Sequence, residues 1–183
     1  MSTILSYKIH TVTPYINWIY FFHAWGFQPR YAAIANIHGC DACRAMWLAS
    51  FPVEERNKAS EAMQLFKEAN RMLDVLDRDY EVRTIFKLCK ANSDGDNLVI
   101  EKAENQFMVF PLLRQQTPKK DGSPFLCLSD FIRPLSSGIP DTLGAFASSI
   151  DADMEGLYEQ DPYKHLLVQT LSDRLAEAAT EKM

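Results

Sequence analysis

TIFKLCKANSDGDNLVIE, residues 84–101, is the stretch whose reading decides the fold. Residues 84–90 alternate as a strand does, successive side chains pointing to opposite faces, and residues 97–101 read as a second short strand. Between them SDGD at 93–96 holds an Asp-Gly pair. Glycine reaches the positive φ that a tight two-residue loop demands, so a hairpin is predicted here. Residues 106–110 add a third strand, and the centre of the chain becomes an antiparallel meander. Pro118, Gly122 and Pro124 mark a loop, residues 125–128 a short strand or turn, and residues 143–148 a further strand entering the sheet from a turn at Pro140.

Outward from the sheet the period becomes helical. Residues 1–13 read as a loose leader, after which Thr13 and Pro14 offer a cap and a first turn for a helix over residues 14–25, stopped by Gly26. Its aromatics lie almost all round it, which predicts a deep position in the core. A second helix is expected over residues 42–49. A long third one is expected over residues 53–76, where Met63, Phe66, Leu73 and Leu76 recur at helical spacing with Leu65, Ala69 and Met72 beside them. Lys67, Glu68, Arg71 and Asp74 take its opposite face. Residues 151–161 form an acidic connection, and Asp161-Pro162 then opens a helix with an apolar stripe of Leu166, Leu167, Leu171, Leu175, Ala178 and Ala179. The predicted fold class is α+β: a twisted antiparallel meander flanked by long α-helices, in a single domain over residues 1–183.

Composition narrows the function. A formal charge of −5 with no Lys/Arg-rich block argues against binding a nucleic-acid backbone. The most apolar run, residues 15–27, holds Asn17 and His23 and falls short of the ~20 apolar residues a bilayer span needs, so no membrane role is expected. With no secretory segment in view, Cys40, Cys43, Cys89 and Cys127 read as reduced thiols and the cytoplasm as the location.

No self-contained catalytic constellation emerges. His38, Cys40 and Cys43 form H-x-C-x-x-C, three soft donors of the kind zinc prefers, but no second pair follows at matching spacing. The sequence is therefore assigned no metal site, and zinc at these three residues stands as the alternative. Asp94 and Asp96 belong to the hairpin turn, since no bidentate Glu follows at the calcium-loop offset. Arg114, Gln115 and Gln116 read as a strand end capping neighbouring backbone, and Asp130, Arg133 and Asp141 as a buried ion-pair network, with binding as the alternative for both groups.

Three segments carry more than this reading extracts: LLRQQT (112–117), CLSDFIRPL (127–135) and GIPDTLGAF (138–146), bracketed by PYINWIYFFHAW (14–25) and DRLAEA (173–178). In this order they resemble the activation (reactivation) domain of cobalamin-dependent methionine synthase. The likeness runs over most of the chain, with an unmatched insertion near residues 36–58. It implies an α+β domain that binds S-adenosylmethionine and caps the cobalamin-binding domain of the enzyme. Flavodoxin or an equivalent reductase supplies an electron to cob(II)alamin, and the sulfonium donates the methyl group that restores methylcobalamin for methionine biosynthesis. The chain would be a component of that vitamin B12 methyltransferase with no catalytic residue of its own.

Two donor contacts carry over by resemblance. Asn17, in YINW, stands where the family has an acidic residue, and Glu177, in LAEA, matches the family's glutamate. The family's R-x-x-x-G-Y type motif has no counterpart here. The expectation is thus the N-terminal part of the domain, as a fragment or a shortened relative, with an incomplete donor site and weak or absent S-adenosylmethionine binding. An interaction or scaffold domain that kept the fold and lost the donor site is the alternative. An uncovered apolar strip is also expected, with homodimerisation through it.

Overall fold

The longest helix, α4 (Arg56–Asp79), follows from its sequence. Ala59, Ala62, Leu65, Ala69, Met72, Leu73 and Leu76 are buried at spacings of three and four, while Arg71 and Asp74 are exposed on the other face. It begins later and ends later than the apolar spacing predicts, because Val53–Glu55 forms a separate 3-10 turn after Pro52. In the computed structural model, residues 3–103 and 106–183 are described. They comprise β1 (Thr3–Lys8), α1 (Ile9–Val12), α2 (Trp18–Ala24), α3 (Asp41–Ala49), α4, β2 (Glu81–Asp94), β3 (Asn97–Ala103), β4 (Gln106–Pro111), β5 (Asp141–Ile150), α5 (Ala152–Glu155) and α6 (Pro162–Lys182). The fold is α+β, and no helix is long and apolar enough to cross a membrane. By contacts the chain divides into a sheet unit, Ile85–Phe146 with Thr3, and a helical unit, Ile4–Thr84 with Ala147–Met183.

The helical unit has one large core. Ile9, Val12, Phe21, Phe22, Leu76, Val82, Met154, Leu167, Leu171 and Leu175 are all completely or almost completely buried there. At roughly 1.5–3 kcal/mol per large apolar side chain, this is the main stabilisation of the unit. Residues 3–12, expected as a loose leader, are a strand and a short helix that places Ile9 and Val12 in this core. The expected helix over 14–25 starts only at Trp18. Thr13–Tyr15 is a 3-10 turn, and Asn17 rather than Thr13 caps α2. At its other end Phe27 N–H donates to Phe22 O (2.9 Å) and Gly26 N–H to His23 O (3.0 Å), with Gly26 at φ +73°. That is a Schellman stop, and the left-handed residue is where glycine is cheapest. Burial of α2 is one-sided: Phe21 and Phe22 are inside, whereas Ile19 and Tyr20 are exposed.

Asp161 caps α6 as its sequence predicts, its carboxylate accepting from Lys164 N–H (3.1 Å). Leu166 leaves the predicted stripe and is exposed, and Val168 takes its place. The acidic connection forms the single-turn helix α5, anchored by fully buried Met154.

The strand order is β1-β2-β3-β4, with β5 paired to β2. Within the sheet unit, β2 and β3 are antiparallel with Asp94 opposite Asn97, so the loop is Gly95-Asp96. Gly95 has φ +57° and Asp96 has a negative φ, as a type II′ turn requires. β3 and β4 continue the meander in the register Leu98↔Phe110, Val99↔Val109 and Ile100↔Met108. The small core of this unit is Ala91, Leu98 and Ile100, with Cys89, Leu112, Ile132 and Leu143 packed on it. Residues 125–128 form no strand, and a 3-10 turn follows at Leu128–Phe131.

Candidate functional site

In the helical unit a cleft of about 650 Å³ opens between the start of α2, the 3-10 segment Pro29–Asn36 and the last turns of α6. Its shape has a sequence origin. Pro29–Asn36 presents Ala32, Ala33 and Ala35 to the cleft, and short side chains leave room where longer ones would fill it. An aromatic row holds this segment in place: Tyr31 stacks on Phe51 (5.2 Å, 9° between planes), and Trp47 of α3 meets Phe51 edge-on (4.9 Å).

Asn17 and Glu177, far apart in the chain, both line this cleft. Asn17 is exposed and extended, and its Oδ1 accepts the Ile19 N–H (3.2 Å) as the cap of α2. Glu177 projects from α6 and accepts a hydrogen bond from Arg174, whose guanidinium lies 5.7 Å from the Tyr20 ring. Glu181, one turn further on, adds a second carboxylate to the wall. Helical spacing from Glu177 could have found it. Arg30 also lines the cleft and pairs with Glu55 (2.9 Å), and no sequence signal pointed to it. Lys182 sits over the ring of Tyr15, another wall residue, at 5.3 Å. The site can receive a cation near its carboxylates and an aromatic or apolar body along Tyr15 and Trp18.

Two other residue groups singled out by sequence come together elsewhere. In the sheet unit, Arg114 binds Asp130 through two contacts of 2.7 Å, binds Asp96 at 2.6 Å and donates to Phe125 O at 2.7 Å. The guanidinium holds the Asp130 carboxyl down to about 2, assisted by the Cys127 N–H, and the two carboxylates hold Arg114 firmly charged. Gln115 pairs reciprocally with Leu126 through its backbone N–H and its side-chain oxygen, so Arg114 and Gln115 cap neighbouring backbone as the strand-end reading expects, while no such bond is found for Gln116 among the described residues. The predicted Asp130–Arg133–Asp141 ion-pair network does not form. Asp141 accepts the backbone N–H of Arg133 (3.0 Å), Asp130 is engaged by Arg114, and all three residues lie at least partly in solvent.

In the helical unit, His38, Cys40 and Cys43 meet at the start of α3. The Cys43 thiol, then His38, draw the Cys40 thiol down to about 7, and the same contact raises Cys43.

The architecture is that of an α+β protein whose helical unit carries a cleft walled by aromatic, alanine and charged side chains, Glu177, Glu181 and Arg30 among them. Residues 8–183 match the family described as vitamin B12 dependent methionine synthase, activation domain, and the chain belongs to that family. It is also similar to a crystal structure of the MetH reactivation domain bound to AdoHcy, at 33% identity and a TM-score of 0.72. That match covers 100% of this chain and 53% of the other, so the chain spans about half the length of this relative.

Proposed function

We propose that the chain serves the reductive reactivation of cobalamin-dependent methionine synthase and contributes part of an S-adenosylmethionine site at the cleft of Asn17 and Glu177. The observation that carries this reading is the meeting in one cleft of two positions selected by family resemblance alone. When bound, the sulfonium supplies the methyl group, while cobalamin on a partner domain and an electron from flavodoxin or an equivalent reductase complete the chemistry. The role of this chain is to bind and orient. Glu177, steadied by Arg174, and Glu181 attract the donor's cationic end, and the aromatic rings of Tyr15 and Trp18 line the same cleft. Four free thiols are consistent with a reducing compartment, the cytoplasm on this reading.

Binding by these 183 residues alone is expected to be weak. Asn17 carries no charge, and its oxygen is already engaged by the Ile19 N–H. Titration calorimetry with S-adenosylmethionine tests this directly. Asn17→Asp should tighten binding roughly fivefold by placing a charge at this exposed position, and Glu177→Gln should weaken it by a similar factor. Micromolar stoichiometric binding to the unaltered chain would overturn the expectation of weak binding. If neither substitution moves the affinity, the cleft is not the donor site. That result would favour the second reading, an interaction domain in which Asn17 acts only as a helix cap.

A further inference from the structure

His38, Cys40 and Cys43 are the one group of three potential soft ligands that converge among the described residues. One ring nitrogen and two sulfurs lie within 4.8 Å of one another. A tetrahedral zinc ion, with bonds of about 2.3 Å to sulfur and about 2.0 Å to nitrogen, needs its donors about 3.4–3.8 Å apart. The difference is about 1 Å, the scale of a side-chain torsional adjustment.

The local fold explains the convergence. Cys40 is the N-cap of the nine-residue helix α3, in extended conformation, and its Sγ accepts the Cys43 N–H at 3.3 Å. A cap and the third helical residue face the same side, so Cys-x-x-Cys at a helix start brings both sulfurs to one point. His38 arrives from the bent link between Pro29–Asn36 and α3. The surroundings suit an ion: His38 is exposed and both cysteines are half-buried, so a cation can enter, and the thiols are free rather than bridged. Asp41, the nearest carboxylate in sequence, points into solvent and pairs with Arg44 at 3.4 Å. It leaves the three soft donors unchallenged.

We propose that His38, Cys40 and Cys43 bind one soft divalent cation of the zinc type, with a fourth coordination position open to water or to a donor from another molecule. On binding, the two thiols release their protons to solvent and the two thiolates neutralise the dication. The imidazole binds in its neutral form through one nitrogen. Three protein ligands with one open position is an arrangement that leaves the ion reactive toward an incoming ligand. The site is separate from the cleft at Asn17 and Glu177, and this inference does not rest on the donor-binding reading.

The test uses the 183-residue chain, reduced and freed of metal, titrated with cobalt(II) and then competed with zinc. One equivalent should bind with the visible bands of tetrahedral cobalt and the near-ultraviolet band of thiolate coordination, and zinc should displace it. Cys40→Ser and Cys43→Ser should each weaken binding more than roughly 100-fold, since a lost ligand should exceed the 10–100-fold cost of outer-shell changes. Cys89→Ser should leave the titration unchanged. Circular dichroism of each metal-free variant checks that it has folded. Absence of thiolate-to-cobalt absorption in the unaltered chain, or uptake that persists in the Cys40→Ser/Cys43→Ser double variant, would overturn the site. So would recovery of Cys40 and Cys43 as a disulfide that cobalt cannot bind in reducing buffer.

Discussion

At the scale of single residues, Asn17 shows how one side chain can hold a structural and a binding position at once. Its oxygen caps α2 through Ile19, and its place on the cleft wall puts the same side chain in the cleft that Glu177 also lines. The two roles separate by substitution. Asn17→Ala should cost about 1 kcal/mol in urea unfolding, the usual loss when a cap is removed, whereas Asn17→Asp should be stability-neutral because both residues cap well. If Asn17→Ala is as stable as the parent, the cap contributes nothing and its geometry is incidental. Arg114 gives the second residue-scale case. Asp130 is held near 2 in the folded chain, well below the ~3.9 of an unfolded aspartate. A depressed carboxylate stabilises the fold fully above its unfolded value, and that contribution is lost as pH falls from ~3.9 through about 2. Arg114→Gln should therefore lower stability at neutral pH and flatten the acid limb of the stability curve. A difference between variant and parent that is the same at pH 2 and pH 7 would show that the loss is packing rather than charge.

At the scale of elements, the hairpin was legible in the sequence because its cause is local. Gly95 sits at φ +57° with open space where a Cβ would project, so the demand on it is conformational and not steric. Gly95→Ala should then cost about 1 kcal/mol, read from the urea midpoint of the chain, and Gly95→Asn should recover part of it. The C-terminal helix was legible for the same kind of reason, its Asp-Pro start and leucine stripe lying in consecutive turns. What periodicity could not show was long-range. Ile9 and Val12 look like a leader in sequence, yet they are buried because α4 and α6 offer them a core, a fact with no local signature. The late start of α2 was missed because Thr13-Pro14 is as good a cap pair as Asn17. Of the cleft, motif resemblance supplied Asn17 and Glu177, but Arg30 and the alanine wall become visible only when Pro29–Asn36 is in place.

At the scale of the whole molecule, stability and solubility draw on different regions. Leu171, completely buried in the large core, should cost roughly 3 kcal/mol when cut to Ala, in the range of leucine deletions from buried positions. β4 is the opposite case. It ends the strand order, pairs only with β3 among the described residues, and exposes Phe107, Met108, Val109 and Phe110. An edge strand with a free backbone ladder and apolar side chains is a template for another strand, and native edges usually carry a charge or a bulge that discourages this. The bulge on this strand pair lies between Glu101 and Ala103, beyond the apolar run, so it does not protect that run. The isolated chain should therefore self-associate as concentration rises, most simply by pairing β4 with its copy. Sedimentation velocity over about a hundredfold concentration range should show the shift, since association follows mass action. Val109→Lys should return the protein to monomer with a stability change within ~0.5 kcal/mol, because the residue it replaces is exposed. A chain that stays monomeric at the highest concentration would mean that the edge is closed by means other than a second copy.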